Sequence, residues 1–154
     1  MKFLDLPFRP MELNAVLERM LILYISRRSA CEYAWRMNTL VAKVVGVKDE
    51  QVEAIQNGAV TASCFTQAEI AAFRFVEEAM DVIEVTDSTF EHAKQFFSDR
   101  ALAEMLYVVG AYMFVARVAR TARVPLDEVH PESALASVAE MIANHQIPVA
   151  MPHP

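Results

Sequence analysis

Residues 19–46 read RMLILYISRRSACEYAWRMNTLVAKVVG, and this stretch decides the fold. Its apolar residues do not alternate, as a half-buried strand would require. They continue a row that starts at Leu13, Val16 and Leu17 and passes through Met20, Leu21 and Tyr24 at spacings of three and four. That row is one face of a helix running from near Pro10 to Arg28. A turn at Ser29-Ala30 follows, then a second helix from near Ala30 to Val45. Gly46 closes it, being the residue type best suited to a left-handed C-terminal cap. Two helices joined by so short a turn must pack antiparallel.

The same reading extends outward. A short helix starts at Asp49 and ends near Asn57-Gly58, and Gly58 to Phe65 reads as a loop. Thr66-Gln67-Ala68-Glu69 is a capping box that opens a helix reaching about Val82. Ser88-Thr89-Phe90-Glu91 has the same form and opens a helix to Phe97. Ser98 or Asp99 caps a long apolar helix to about Thr121, and Pro125 ends that region. Pro131 suits the first turn of a last helix to about Asn144. Prolines at 148, 152 and 154 bar helix from the tail, which is either disordered or an arm laid on a neighbour. The expectation is an all-α single domain over 1–154 of about seven helices. Its core covers about 12–128, with the C-terminal helix and proline-containing tail at 129–154.

Composition agrees. The chain has 154 residues and only 3 glycines, so one helical core of ordinary size is expected. Apolar residues make up 55% without glycine, above the roughly 45–50% usual with it, and charged residues make up 22%. That excludes general disorder. The longest strongly apolar run without a charge, Met105 to Ala116, is too short for the ~20 residues of a membrane span. Asp5 and Pro7 interrupt any signal-peptide core, so a cytoplasmic protein with no membrane partner is expected. The net charge of −6 argues against nucleic acid as a partner. An excess of apolar residues with no span to absorb it predicts contact with other subunits.

The segment from Arg19 to Gly46 resembles the carboxymuconolactone decarboxylase family, which includes the alkylhydroperoxidase D-like proteins. That family shows E-L-x-I-L-x-x-A/S on one helix, a short turn, then C-x-Y-C/E-W-x-x-H and an apolar helix ending in A-x-x-x-G. Leu21-Ile22-Leu23, Ser26, Cys31, Tyr33, Trp35 and Gly46 fall in that register without a gap. Asp49 to Ile55, Thr66 to Met80 and Glu104 to Asp127 resemble its later segments, so the likeness covers about residues 12 to 128. The resemblance implies a homo-oligomer, a trimer or a hexamer built from trimers, with a small-molecule pocket.

Three departures bear on activity. The family's redox pair is C-x-x-C with a Glu and a His as proton relay. Here the second cysteine position is Ala34, the His position is Asn38, and the Glu position is Arg19, with Glu18 one residue off. Alanine cannot be a thiolate, and asparagine cannot carry a proton at neutral pH. Cys64, 33 residues after Cys31, is the only other thiol. Two-cysteine peroxidase turnover is therefore not expected.

Cys31, Ala34, Trp35 and Asn38 share one face of the second helix by spacing. Either they form a pocket floor, or Cys31 is simply a small core residue. A thiol at a helix N-terminus beside arginines suits chemistry. Cys31 and Tyr33 are thus the candidate catalytic groups. Arg19, Asn38 and Trp35 are candidate ligand-binding groups, and Tyr112 joins them because the resemblance implies that its helix lines the pocket. Arg19 could hold a carboxylate through two N–H groups, but its place on the helical wheel favours a flank. Glu18 lies on the opposite flank and reads as surface, or as a pair for an arginine of a neighbouring subunit. Tyr107, Tyr112, Met113 and Phe114 form a stripe suited to core or interface packing, and Arg117, Arg120 and Arg123 read as partners for charges on another subunit. The four histidines do not cluster, so neither a metal site nor a cofactor is expected.

Three functions compete. The first is a hydrophobic pocket for a small carboxylate or lactone, with non-redox acid–base chemistry or binding alone. The second is a single-cysteine thiol peroxidase acting through Cys31. The third is a non-catalytic oligomeric member of the family.

Overall fold

The computed structural model describes residues 11–126. They form six helices in chain order: α1 (Ala15–Arg28), α2 (Glu32–Val45), α3 (Asp49–Gln56), α4 (Gln67–Asp81), α5 (Asp87–Lys94) and α6 (Asp99–Thr121). There is no strand among the described residues. The expected seventh helix, Pro131 to Asn144, and the proline-containing tail lie outside the described residues.

Most boundaries sit where the local signals put them. Thr66 caps α4 reciprocally with Glu69, Gly46 closes α2 at φ +99°, and the Ser98 hydroxyl accepts from Ala101 N. α1 begins later than expected, because Asn14 supplies the cap by accepting from Leu17 N at 2.8 Å. α2 begins at Glu32 because Ala30 adopts φ +48°, outside any right-handed helix. α5 is capped at Thr86 and not at Ser88. The Thr86 amide is held by Glu78 Oε1 at 2.6 Å, a partner on α4 that fixes the helix start two residues early.

α1 is the centre of the bundle. Every residue from Arg19 to Ser26 is buried, so α1 has no solvent face over two turns. α2, α3, α4 and α6 all pack on it, α2 most extensively, as the short turn predicts. The core joins Met20, Leu21, Leu23 and Ile25 of α1 to Phe73, Phe75 and Val76 of α4 and to Leu102, Met105 and Val109 of α6. Phe73 meets Tyr24 and Phe65 edge-on at 5.3 and 5.1 Å, a geometry that aromatic quadrupoles favour.

α6 is long and apolar enough to cross a membrane by length and composition alone. Its inner face belongs to the core just described. Glu104 on that face is 1% exposed and accepts from the amides of Glu12 and Leu13 and from Arg100 Nε, at 2.8–3.0 Å. This carboxylate clamps the approach to α1 onto α6. The outer face of α6 is open: Leu106, Tyr107, Phe114 and Val118 are exposed. The helix is therefore not buried on all sides within one chain.

Candidate functional site

Arg19 is not on a flank. Its side chain is only 8% exposed, on the part of α1 that α2 and α6 cover. It donates through Nη1 to Asn38 Oδ1 on α2. The Tyr112 hydroxyl of α6 donates to the same oxygen at 3.4 Å, and Asn38 Nδ2 donates to Ala34 O at 2.8 Å. The orientation of Asn38 is thereby fixed, with its oxygen turned to both donors. Arg19 Nε is buried and has no hydrogen-bond partner. Among the described residues no carboxylate comes within ion-pair distance of this guanidinium.

Glu18 is the group that sequence spacing misplaced. It is half-buried, not surface. Burial pushes its carboxyl above the usual carboxylate range; Arg19 beside it pulls the other way, and Glu104 adds to the upward push. Burial likewise raises the Tyr112 phenol, against the pull of Arg19. Arg19, Asn38, Tyr112 and Glu18 thus form one polar cluster between α1, α2 and α6. Its half-buried members, Glu18 and Tyr112, carry it toward the surface.

Cys31 lies elsewhere. It precedes α2, is 2% exposed, and its amide donates to Ser26 O at 2.9 Å. With Ala34, Ala116 and Ala119 it forms a small packed patch, and Tyr33 and Val124 lie against it. Small side chains let α2 and α6 approach closely there, which is the packing reason for alanine at position 34. Cys31 and Trp35 also line a surface cavity of about 300 Å³ with Ser26, Arg27 and Gln56. Two helical turns, about 10 Å, separate Cys31 from Asn38 along α2. The spacing argument correctly put both on the inner side, but they meet different neighbours.

Cys64 is half-buried against the main core, and both cysteines are free. His92 packs edge-on against Phe96 at 5.7 Å. No group of three or more His, Cys, Asp or Glu suited to a metal ion occurs among the described residues. A second cavity, about 450 Å³, lies over α6 and is lined by Ser29, Met113, Ala116, Arg117, Arg120 and Thr121.

No protein-family model, curated protein or solved structure matches this chain.

Proposed function

We propose that this chain belongs with the carboxymuconolactone decarboxylase-like proteins and takes a small carboxylate or lactone at Arg19, for non-redox acid–base chemistry or for binding alone. The observation that carries this reading is the buried guanidinium with an unbonded Nε–H and, among the described residues, no carboxylate within ion-pair distance. A buried cation of this kind is costly unless paired, and a ligand carboxylate is the partner whose geometry fits the planar fork. Asn38 holds one arm of the fork, which leaves the Nε side for the ligand.

Proton transfer in this reading falls to Glu18. Its raised affinity for the proton suits an acid that hands it to a ligand oxygen and recovers it afterwards. Tyr112 stays protonated and serves as a hydrogen-bond donor. Cys31 and Tyr33 are separate from this cluster and have no part in the step. We place the protein in the cytoplasm as a homo-oligomer, a trimer or hexamer. The exposed apolar residues of α6 support association.

Calorimetric titration with a panel of small carboxylates and lactones tests the proposal. Binding to the wild type, weakened at least tenfold by Arg19→Met and unchanged by Cys31→Ser, is the expected result. A thiol peroxidase has one favouring observation, the cavity beside Cys31. Turnover of tert-butyl hydroperoxide with dithiothreitol that Cys31→Ser abolishes would establish it in place of the carboxylate reading. Neither binding nor turnover would leave the non-catalytic member.

A further inference from the structure

The outer face of α6 carries an unusual pattern. Gly110 sits near the middle of the 23-residue helix, exposed, with nothing within 4 Å of where a Cβ would be. Glycine in a helix interior costs stability against alanine, and no contact among the described residues requires it there. Around it stand exposed side chains: Leu106 at 40%, Tyr107 at 40%, Phe114 at 67% and Val118 at 47%. A large apolar stripe with a glycine at its centre is suited to close approach of another helix.

Two arginines stand near the stripe. Arg117 donates to Met113 O at 3.1 Å and Arg120 to Ser29 O at 3.0 Å. Among the described residues neither forms an ion pair. At the other end of the same face Asp99 is exposed and pairs with Lys94 at 2.8 Å. One face therefore has two arginines toward its C-terminal end, an apolar middle and an exposed carboxylate, Asp99, at its N-terminal end.

We infer that this face docks a second copy of the chain, α6 against α6, antiparallel about a two-fold axis beside Gly110. The pattern is self-complementary under that one operation. At about 100° and 1.5 Å per residue, the axis places Gly110 on Gly110 of the partner subunit. Phe114 then meets Tyr107 of the partner subunit, and Leu106 meets Met113 of the partner subunit, on opposite sides of the crossing. Arg117 and Arg120 come beside Asp99 of the partner subunit, while Arg100 of the partner subunit falls on the other side. The 450 Å³ cavity floored by Met113 and Ala116 and rimmed by the two arginines receives Leu106 of the partner subunit. Antiparallel pairing also sets each helix's cationic C-terminal end against the partner's N-terminal end. That arrangement favours a second copy over a lipid surface, which offers no acid at one end alone. The inference goes beyond the ligand reading and is independent of it. It requires an even number of subunits, which suits a hexamer but excludes a lone trimer.

Sedimentation velocity with cross-linking tests it. The wild type is expected at an even multiple of 17.3 kDa. Phe114→Arg, at a position already exposed, should halve that mass without changing the circular dichroism. Gly110→Cys, oxidised in the assembled protein, should give a covalent dimer above the wild-type background. Arg120→Asp should weaken association at least tenfold, and adding Asp99→Arg should recover most of the loss. A monomer, a trimer, or an even oligomer whose mass Phe114→Arg leaves unchanged overturns the inference. An intact even oligomer in which Gly110→Cys fails to cross-link overturns it as well.

Discussion

Arg19 of α1 and Asn38 of α2 meet across the most extensively packed helix pair in the bundle, and the contact joins a cation to a neutral amide. Removing either side has a different cost. Arg19→Met replaces a buried, partly unbonded charge by an apolar chain of similar length, so stability should stay within about 1 kcal/mol of wild type or rise above it. Asn38→Ala leaves the charge in place and strips its acceptor, so it should cost about 2 kcal/mol. Urea denaturation of both variants checks the order. A larger loss in Arg19→Met would show that the guanidinium is a structural strut.

Glu18 should make stability fall as pH rises. Its carboxyl binds a proton more tightly in the folded chain than at its ordinary value of 4.5. Between that ordinary value and the raised one, the native state holds more protons than the unfolded state, so raising pH favours unfolding. Below 4.5 the advantage of the folded state is fully present. Glu18→Gln should therefore raise the melting temperature at pH 7 and flatten the profile above pH 4.5. An unchanged slope would place the titration elsewhere.

Glu104→Ala should be among the most damaging single changes, at about 3 kcal/mol. It strands two backbone amides, those of Glu12 and Leu13, in a buried setting, and removes the acceptor of Arg100 Nε. Thermal melts would measure the loss. Limited proteolysis should show earlier cleavage around residues 11–14, because that segment is tied to α6 by this carboxylate.

Gly46→Ala and Gly110→Ala should act with opposite signs. Gly46 holds φ +99°, so a methyl group there should cost about 1 kcal/mol. Gly110 is helical with open space around its Cβ direction. Alanine there should add about 1 kcal/mol to the chain, measured at concentrations low enough for a single subunit. Guanidinium melts of the two variants decide it.

What the sequence could reveal depended on how far each signal reached along the chain. Thr66 with Glu69, and Gly46 at the end of α2, are completed within one turn, so their residues alone locate α2 and α4. The start of α5 depends on Glu78, which lies on another helix, and local spacing pointed two residues too far. The helical wheel failed for Arg19 and Glu18 for a related reason. It assigns faces by contrast, and α1 from Arg19 to Ser26 is buried all round, so no polar side exists to count from. Whether a charged residue there faces water is set by where α2 and α6 lie. The face shared by Cys31 and Asn38 was legible, but its division between an alanine-lined patch and a charged cluster needed the partner helices.

The Glu104 clamp also orders events in time. Its carboxylate bonds amides 91 and 92 positions earlier in the chain. A ribosome adds about 5–20 residues per second, so this anchor emerges roughly 5–20 s after the segment it secures. Throughout that interval the central helix α1 has only α2 and then α3 and α4 to shelter against. The nascent chain thus spends its synthesis with α1 incompletely covered, and its last large apolar face closes only when α6 arrives.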